Sequence, residues 1–213
     1  WFVFQRLIIE NGRIDLEILD GVVDGIASLA DRTEKIAIIR STVVPGTTRN
    51  YSEEYPYTKF CCNPSFLTQS RYLEDSANPD KIVIGADDDQ IGSRVEQLYR
   101  GRFPETPLFR TGLTAAEMAK YMINALYGTK VTFANVMYDL AQRLGIDYDD
   151  VRKIVSADQH INGSHLIVTP ERGFGGKCLP KDLISLIGLF KDLGMDSSFL
   201  EMVWAQNLKF RPG

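Results

Sequence analysis

The residue types best suited to chemistry lie in one short segment, residues 173–182, which holds three glycines, a cysteine and an aspartate. Glycines let the backbone approach a ligand closely, because they have no Cβ atom. Pro180 suits the first turn of a helix, which places Cys178 at or just before a helix N-terminus. There the peptide dipoles favour the thiolate, the nucleophilic form of cysteine. Asp182 lies one turn further along the same face, within reach of whatever the sulfur holds.

Two further pairs of polar residues stand where they could serve a reaction. Ser41 and Thr42 open a hydroxyl-rich turn that follows an apolar run. Lys120 and Asn124 are four residues apart in a long helical pattern, which puts them one turn apart on one face. A lysine ammonium on such a face can stabilise a developing oxyanion. Taken alone, the first pair is equally well explained by a capped turn, and the second is better explained by a solvated polar face.

The composition excludes several classes of function. The 213 residues carry a formal net charge of -4, so no global basic field recruits nucleic acid or an anionic membrane surface. No apolar run approaches the roughly 20 residues of a membrane span, and no signal peptide is visible. Cys61, Cys62 and Cys178 do not form a disulfide framework, and we expect a cytoplasmic protein. With only His160 and His165 available, no zinc site is expected.

Strands and helices alternate in the first half of the chain. Strands are predicted at the apolar runs 1–4, 35–40, 59–64, 81–85 and 108–110. Helices are predicted at 15–30, 71–77 and 90–99, the last with Ile91, Val95, Leu98 and Tyr99 facing inward. Alternation of this kind favours a parallel, doubly wound sheet. Such sheets bind ligands outside the carboxyl ends of their strands, where Thr42 and the loop 64–70 are expected.

A long helix opens the second half. The run 115–144 contains no proline and one glycine, and its roughly 30 residues would span about 45 Å, enough for a domain bridge or a dimer interface. Thr114 and Glu117 match a capping box at its start. Further helices are predicted at 147–157, 179–193 and 199–209, the first with Val151, Ile154 and Val155 facing inward. We therefore expect a domain boundary near residue 112.

Four segments, in chain order, resemble motifs of one family. Residues 173–182 are similar to the catalytic-cysteine loop of the UDP-glucose/GDP-mannose dehydrogenase family, and this ten-residue string is specific. Residues 40–48 resemble that family's Ser-Thr turn, 63–85 its Asn-Pro segment and 117–126 its helix with a lysine and an asparagine. On these motifs the chain, from about residue 15 to residue 182, is identified as a member.

The resemblance implies a fold and an activity. The fold class is α/β, with a partial Rossmann-like, dinucleotide-binding domain at 1–112 and a central helical domain for dimerisation and catalysis at 113–213. The implied cofactor is NAD, and the implied reaction is a four-electron oxidation of the C6 alcohol of a nucleotide sugar, UDP-glucose to UDP-glucuronate, in polysaccharide biosynthesis. The implied partner is a second copy of the chain, bound through the long helix, with no nucleic acid and no membrane.

The resemblance also assigns roles to residues at matching positions. Cys178 would carry a thiohemiacetal and then a thioester, and Lys120 would stabilise oxyanions. Asn124 and Asp182 would order or activate water, and Thr42 would assist proton transfer. The remaining implied contacts are Ser41, Thr42 and Lys181 with the cofactor, and Phe66, Leu67, Lys120, Asn124, Gly173, Phe174 and Gly175 with the substrate.

Three positions depart from the family pattern. Ser65 and Gln69 stand where the family has glutamates, and His160 stands where an arginine reaches the substrate across the dimer interface. Gln69 stands at a position that the resemblance marks as catalytic. A glutamine there can orient water by hydrogen bonds, but it cannot act as a base near neutral pH. These departures keep open an inactive, truncated relative that serves as a dimerising structural fragment.

The substrate, the cysteine and the extent of the chain each leave a second interpretation open. GDP-mannose or another nucleotide sugar is a possible substrate, although the residues after Cys178 argue against the acetamido-sugar branch. A glycine loop holding a buried structural cysteine is the competing interpretation for a cysteine taken alone. No G-x-G-x-x-G fingerprint occurs. We therefore expect the family's first βαβ unit and terminal nucleotide-binding domain to lie outside these residues, and NAD to bind this segment poorly.

Overall fold

The computed structural model describes residues 12–29, 35–68 and 71–212. The strand predicted at 1–4 and the candidate residue Gln69 lie outside the described residues. The described chain divides into two compact units, one of residues 14–121 and one of residues 122–212 together with Gly12 and Arg13. A helix begins at Leu113, next to the predicted boundary near residue 112, and its residues belong to both units. The boundary itself remains a prediction.

The first unit is an α/β structure. Its strands are β1 (Ile36–Ile39), β2 (Lys59–Cys62), β3 (Ile82–Gly85) and β4 (Leu108–Thr111). Its helices are α1 (Glu17–Ser28), α2 (Thr47–Glu54), α3 (Tyr72–Ala77) and α4 (Asp89–Arg100), followed by the start of α5 (Leu113–Leu144). The predicted strands and helices within the described residues are therefore confirmed, and α2 is an addition. Periodicity does not reveal α2, because Tyr51 is its only apolar residue.

The four strands form one sheet in the order β1-β2-β3-β4. The β1–β2 and β3–β4 pairs are parallel, as expected, whereas β2 and β3 are antiparallel and meet at Cys62 and Gly85. The predicted Rossmann-like α/β fold is confirmed, and the one antiparallel pair is a correction to a wholly parallel sheet. An apolar run indicates a buried strand, but it does not show whether that strand runs parallel or antiparallel to its neighbour.

Apolar side chains cover both faces of the sheet. Cys61 packs in a cluster with Ile84 and Val95, whereas Cys62 packs in a second cluster with Val83 and Ala116. Adjacent cysteines therefore face opposite sides of β2, as the alternation of side chains along a strand requires. This arrangement places both thiols inside the first unit.

The second unit is helical. The rest of α5 is followed by α6 (Tyr148–Ser156), α7 (Leu179–Asp192) and α8 (Ser198–Phe210), as predicted. One core cluster joins Ala134, Ala141, Tyr148 and Leu166, and the Tyr148 hydroxyl donates to the Leu166 carbonyl at 2.8 Å. Within the described ranges no helix has the length and apolar character needed to cross a membrane.

Four residues that were expected to face inward are exposed. They are Leu98 of α4 and Val151, Ile154 and Val155 of α6. Helical periodicity shows that apolar residues share a face, but it does not show that the same chain covers that face. The amphipathic patterns were therefore interpreted correctly as helices and wrongly as evidence of burial.

The capping box predicted at the start of α5 does not form. The helix begins at Leu113, so Thr114 is already inside the first turn. The Thr114 hydroxyl oxygen is buried without a hydrogen-bond partner. The Glu117 carboxylate is bonded to a different helix, as described below.

Candidate active site

In the first unit, the candidate cofactor residues follow β1. Ser41 and Thr42 are half-buried in the loop between β1 and α2, so they lie at the carboxyl end of a strand as predicted. The loop ends at Gly46, which has a φ of 102° and is the N-cap of α2. A residue with a side chain would be strained in this left-handed conformation, so the glycine allows the sharp entry into α2.

Two lysines flank one candidate substrate residue in the same unit. The Lys120 ammonium lies 5.4 Å from the centre of the Phe66 ring, and the Lys81 ammonium lies 4.7 Å from it. Lys120 is buried on α5, and Phe66 is half-buried. Cation–π contacts of this kind orient a lysine without neutralising its charge. The structure thus brings together two residues that the sequence proposed separately, Phe66 and Lys120.

A cavity of about 870 Å³ adjoins this region of the first unit. Its lining includes Ser41, Phe66 and Leu67, which the sequence had proposed as site residues, and the buried Asn63. Both ends of the Asn63 amide are used by the protein, since its nitrogen donates to the Val83 carbonyl at 2.7 Å and its oxygen accepts from a tyrosine hydroxyl. A mostly apolar cavity of this size is typical of a ligand site.

The cysteine loop lies in the second unit and leads into α7. Cys178 is the N-cap of α7 and is exposed, and Pro180 lies in the first turn, as predicted. The Asp182 N–H donates to the Cys178 carbonyl at 2.9 Å, which closes the first helical turn. The thiol therefore stands at a helix N-terminus with a carboxylate one turn away.

Asp182 is the centre of a small buried cluster. It is 1% exposed, and its Oδ2 accepts a hydrogen bond of 2.5 Å from the Nδ2 of Asn124 on α5. The Lys181 ammonium pairs with the other carboxylate oxygen. The candidate residue Asn124 is thus brought to two others, Lys181 and Asp182, that lie almost 60 residues away in sequence. Interactions with the ammonium and the amide offset the free-energy cost of removing the carboxylate from water.

Asn207 was missed by the sequence analysis. This residue of α8 is 1% exposed, and its amide binds both main-chain groups of Phe174. The Phe174 N–H donates to its Oδ1 at 2.7 Å, and its Nδ2 donates to the Phe174 carbonyl at 3.0 Å. Buried main-chain groups need partners, so this pair fixes the loop four residues before Cys178. A lone asparagine in a helical pattern gives no signal of such a contact.

Arg172 also holds this loop. Its Nε donates to the Asn135 Oδ1 at 2.6 Å, and its Nη2 donates to Asp139 at 2.7 Å. Its guanidinium also lies 4.8 Å from the Tyr138 ring centre and 4.9 Å from that of Phe210. Arg172 has a φ of 55°, an unusual value for a residue with a side chain. These contacts maintain that conformation directly before Gly173.

The Phe174 ring belongs to the core of the second unit. It is 4% exposed and lies 6.0 Å from the Trp204 ring centre. A Cβ atom on Gly128 would approach it to 3.3 Å, so the one glycine of α5 makes room for it. The Phe174 side chain therefore contributes to packing within the second unit. Substrate contacts of Phe174, Gly173 and Gly175 remain predictions.

The three thiols differ in environment. Burial raises the pKa of the Cys61 thiol to about 12 and that of Cys62 still further. Cys178 is the exposed one. Since the thiolate is the reactive form, Cys178 is the thiol available to an external reagent or substrate.

Comparison with known proteins matches both halves of the chain to one family. Residues 8–102 match the NAD binding domain of the UDP-glucose/GDP-mannose dehydrogenase family, and residues 114–209 match its central domain. The chain belongs to the UDP-glucose/GDP-mannose dehydrogenase family. The resemblance inferred from the four motifs is thereby confirmed.

Relatives within the UDP-glucose/GDP-mannose dehydrogenase family carry two different names. GDP-mannose 6-dehydrogenase of Azotobacter vinelandii is 36% identical over 83% of this chain and 43% of its own length. UDP-glucose 6-dehydrogenase of Rickettsia typhi is 32% identical over 96% of this chain and 47% of its own length. A solved UDP-glucose dehydrogenase from Pyrobaculum islandicum superimposes with a TM-score of 0.84 at 31% identity, over 93% of this chain and 47% of that one. The chain thus spans less than half the length of these family members.

Proposed function

We propose that the protein catalyses the NAD-dependent oxidation of the C6 alcohol of a nucleotide sugar to a carboxylate, through covalent intermediates on Cys178. One observation carries the proposal: the exposed Cys178 at the start of α7 stands one helical turn from Asp182, which is bound to Asn124 and Lys181. Family membership supplies the substrate class and the cofactor.

The residues of the first unit fit a dinucleotide. The hydroxyls of Ser41 and Thr42 follow a sheet strand at its carboxyl end, where α/β sheets bind cofactors. The adjoining cavity of about 870 Å³ is large enough for a ring system. NAD, when bound, accepts one hydride in each of the two oxidations. Lys181 is proposed as a further cofactor contact.

The first oxidation converts the alcohol to an aldehyde. Thr42 relays the hydroxyl proton away as the C6–H bond breaks and its electron pair leaves as hydride. The Lys120 ammonium stabilises the negative charge that develops on the oxygen. Phe66 and Leu67 contact the sugar, and Phe66 also orients Lys120.

The second oxidation occurs on the cysteine. The Cys178 thiolate attacks the aldehyde carbon, a C–S bond forms, and the carbonyl electron pair moves to oxygen, which takes a proton to give a thiohemiacetal. Loss of that proton and of a second hydride leaves a thioester. The loop at Gly173, Phe174 and Gly175 packs against the substrate while this bond is present.

Hydrolysis releases the product. Asn124 and Gln69 orient a water molecule, and Asp182 takes its proton as the oxygen attacks the thioester carbon. The C–S bond breaks, the thiolate of Cys178 leaves, and a carboxylate is formed. Because Asp182 is hydrogen-bonded to Asn124, the base keeps a fixed position relative to one of the groups that orient the water.

UDP-glucose is the proposed substrate, and UDP-glucuronate the proposed product. GDP-mannose is the second candidate, because the relative of 36% identity carries the name GDP-mannose 6-dehydrogenase. A homodimer is proposed as the assembly. It is supported by a stripe of apolar side chains on α5, each half exposed or more, at Met122, Leu126, Phe133, Leu140 and Leu144.

The decisive experiment measures NADH production by the complete gene product that carries this sequence, with UDP-glucose or GDP-mannose. We expect two NADH per sugar with one of them. The C178A variant should lose the activity, and C61A, which removes a buried thiol on the opposite side of the first unit's sheet from Phe66, should retain it per folded molecule. Absence of NADH production from either sugar by folded wild-type protein would refute the proposed function and favour the inactive structural relative.

A further inference from the structure

One buried carboxylate in the first unit belongs to none of the roles described above. Glu117 on α5 is 2% exposed, and both of its oxygens accept hydrogen bonds from the start of α2. Oε2 accepts from the Gly46 N–H at 2.6 Å. Oε1 accepts from the Thr48 N–H at 2.8 Å and from the Thr48 hydroxyl at 2.6 Å. The three donors lie about 70 residues from Glu117 in sequence.

Helix α2 has no side-chain cap from its own N-cap residue. That residue is Gly46, which has no side chain to bond the first free N–H groups of the helix. A carboxylate at this end also interacts favourably with the helix dipole. Glu117 thus accepts hydrogen bonds from the start of α2, as the side chain of an Asp or Ser N-cap does in other helices, but it lies on a different helix.

The three hydrogen-bond partners of Glu117 determine which protonation state of its carboxyl group suits this position. All three groups donate, and an ionised carboxylate only accepts, so the ionised form satisfies the whole arrangement. Burial raises the pKa of Glu117, and the hydrogen bonds from Thr48 and Gly46 oppose that rise. Because its oxygens are occupied and it is buried, Glu117 does not itself contact a substrate.

The position of Glu117 links two candidate parts of the active site within one unit. Lys120 follows it by one helical turn on α5, on the same face. Ser41 and Thr42 lie in the short loop that runs from the end of β1 to Gly46. The first end of this loop is held by the sheet, and the second end is held by Glu117.

We propose that Glu117 is a positioning residue, which fixes the loop bearing Ser41 and Thr42 relative to Lys120. The inference rests on the proposed function for its catalytic consequence, but not for its structural content. A loop released at Gly46 would let the hydroxyls drift from the lysine while both remain present.

The first test measures amide hydrogen exchange in the complete gene product by mass spectrometry, on peptides covering residues 41–54. In E117Q the side chain keeps its shape, but one acceptor becomes a donor that faces other donors. Exchange in this segment should rise, while peptides from α7 and α8 stay unchanged. T48V removes one donor only and should give a smaller rise in the same segment, which covers the case that E117Q does not fold.

T114V is the matched control. It removes the hydroxyl that the capping-box interpretation would pair with Glu117, and that hydroxyl has no hydrogen-bond partner. Exchange in T114V should therefore equal that of the wild type. Unchanged exchange in both E117Q and T48V would overturn the inference, and so would a rise in T114V equal to that in E117Q.

The second test measures turnover. In E117Q, kcat per folded molecule should fall roughly tenfold to a hundredfold, the loss that a misplacement of about 1 Å causes, while KM for the nucleotide sugar stays unchanged. A purely structural role would reduce the amount of folded protein and leave kcat per folded molecule intact, which would overturn the positioning role. If the wild type produces no NADH, the proposed function fails, and the exchange data alone decide whether Glu117 holds the loop.

Discussion

Single buried side chains hold both segments that carry candidate catalytic residues. In the first unit, Glu117 accepts from the main chain at Gly46 and Thr48. In the second unit, the Asn207 amide binds the N–H and the carbonyl of Phe174. In each case one side chain satisfies at least two main-chain groups of a distant segment, so its removal leaves several buried groups without partners. In each unit, the position of the loop therefore depends on a residue that has no proposed chemical role.

Replacement of Asn207 by alanine should destabilise the second unit. N207A leaves the Phe174 N–H and carbonyl buried without partners, which costs about 1–3 kcal/mol for each group. We expect a total loss of about 3 kcal/mol in the free energy of unfolding, measured by urea denaturation. N207D should not restore stability, because a carboxylate cannot donate to the Phe174 carbonyl.

The control for N207A is N78A, which removes the side chain of an asparagine outside the core. Its free energy of unfolding should stay within about 0.5 kcal/mol of the wild type. A loss of that small size in N207A as well would show that the Asn207 amide does not hold the loop.

At the scale of elements, long-range polar contacts fix where helices begin. Asp87, just after β3, accepts from the Leu113 N–H at the start of α5 at 3.0 Å. It also accepts from the Arg49 Nε of α2 at 3.0 Å. One carboxylate therefore connects the sheet to two helices of the first unit.

The stability contributed by Asp87 should depend on pH. Burial raises the pKa of this carboxyl, but the bonds from Arg49 and Leu113 lower it more, and the net shift is downward. The ionised form is thus favoured by folding, so its contribution is present above about pH 4 and is lost as pH falls through the folded-state pKa. Because the Asp87 side chain is 41% exposed and water screens its ion pair with Arg49, D87N should be at most about 1 kcal/mol less stable than the wild type at pH 7.

Urea denaturation of both proteins between pH 3 and pH 7 checks this expectation. The difference between wild type and D87N should shrink as the pH falls below 4. The control is D80N, which alters an exposed carboxylate paired with the neighbouring Lys81. It should change stability by no more than about 0.5 kcal/mol. If the difference in the free energy of unfolding between wild type and D87N stays constant from pH 3 to pH 7, ionisation of Asp87 is not its source.

At the scale of the whole molecule, each unit has its own core, and the second also exposes a row of large apolar side chains. The exposed stripe on α5 repeats at intervals of four and seven residues, which is the spacing of helix–helix packing. Val151, Ile154 and Val155 of α6 add to the exposed apolar residues. Single exposed apolar residues are ordinary, but a continuous stripe is typical of an interface.

Charges placed on this stripe should disrupt the proposed dimer. In the double variant F133E/L140E, burial of two carboxylates against a second copy would be costly, so the protein should become monomeric. Light scattering coupled to size-exclusion chromatography of the complete gene product measures the mass. Y57E is the control, since Tyr57 is exposed in the first unit and should leave the dimer intact. A wild-type monomer, or a dimer that survives both charges, would refute this interface.

Local rules were sufficient for most of the elements and for the position of Cys178 in the fold. Pro180 and the flanking glycines set Cys178 at a helix N-terminus through contacts within one turn, and so the sequence alone located it. The four motifs, read in chain order, were also enough to identify the family. Alternating apolar runs determined the α/β character, because strands and helices space their apolar residues with different periods.

Only the tertiary structure decided which distant groups meet. Glu117 was paired with Thr114 by a local rule, yet its carboxylate bonds a helix some 70 residues away, because α5 already begins at Leu113 and the first N–H groups of α2 have no side-chain cap of their own. Asn207 looked like any polar residue of a helix, and Val155 looked like a core residue. Periodicity and capping patterns describe a chain one or two turns at a time. The partners that satisfy a buried carboxylate, or leave an apolar face exposed, are set by the packing of segments far apart in sequence.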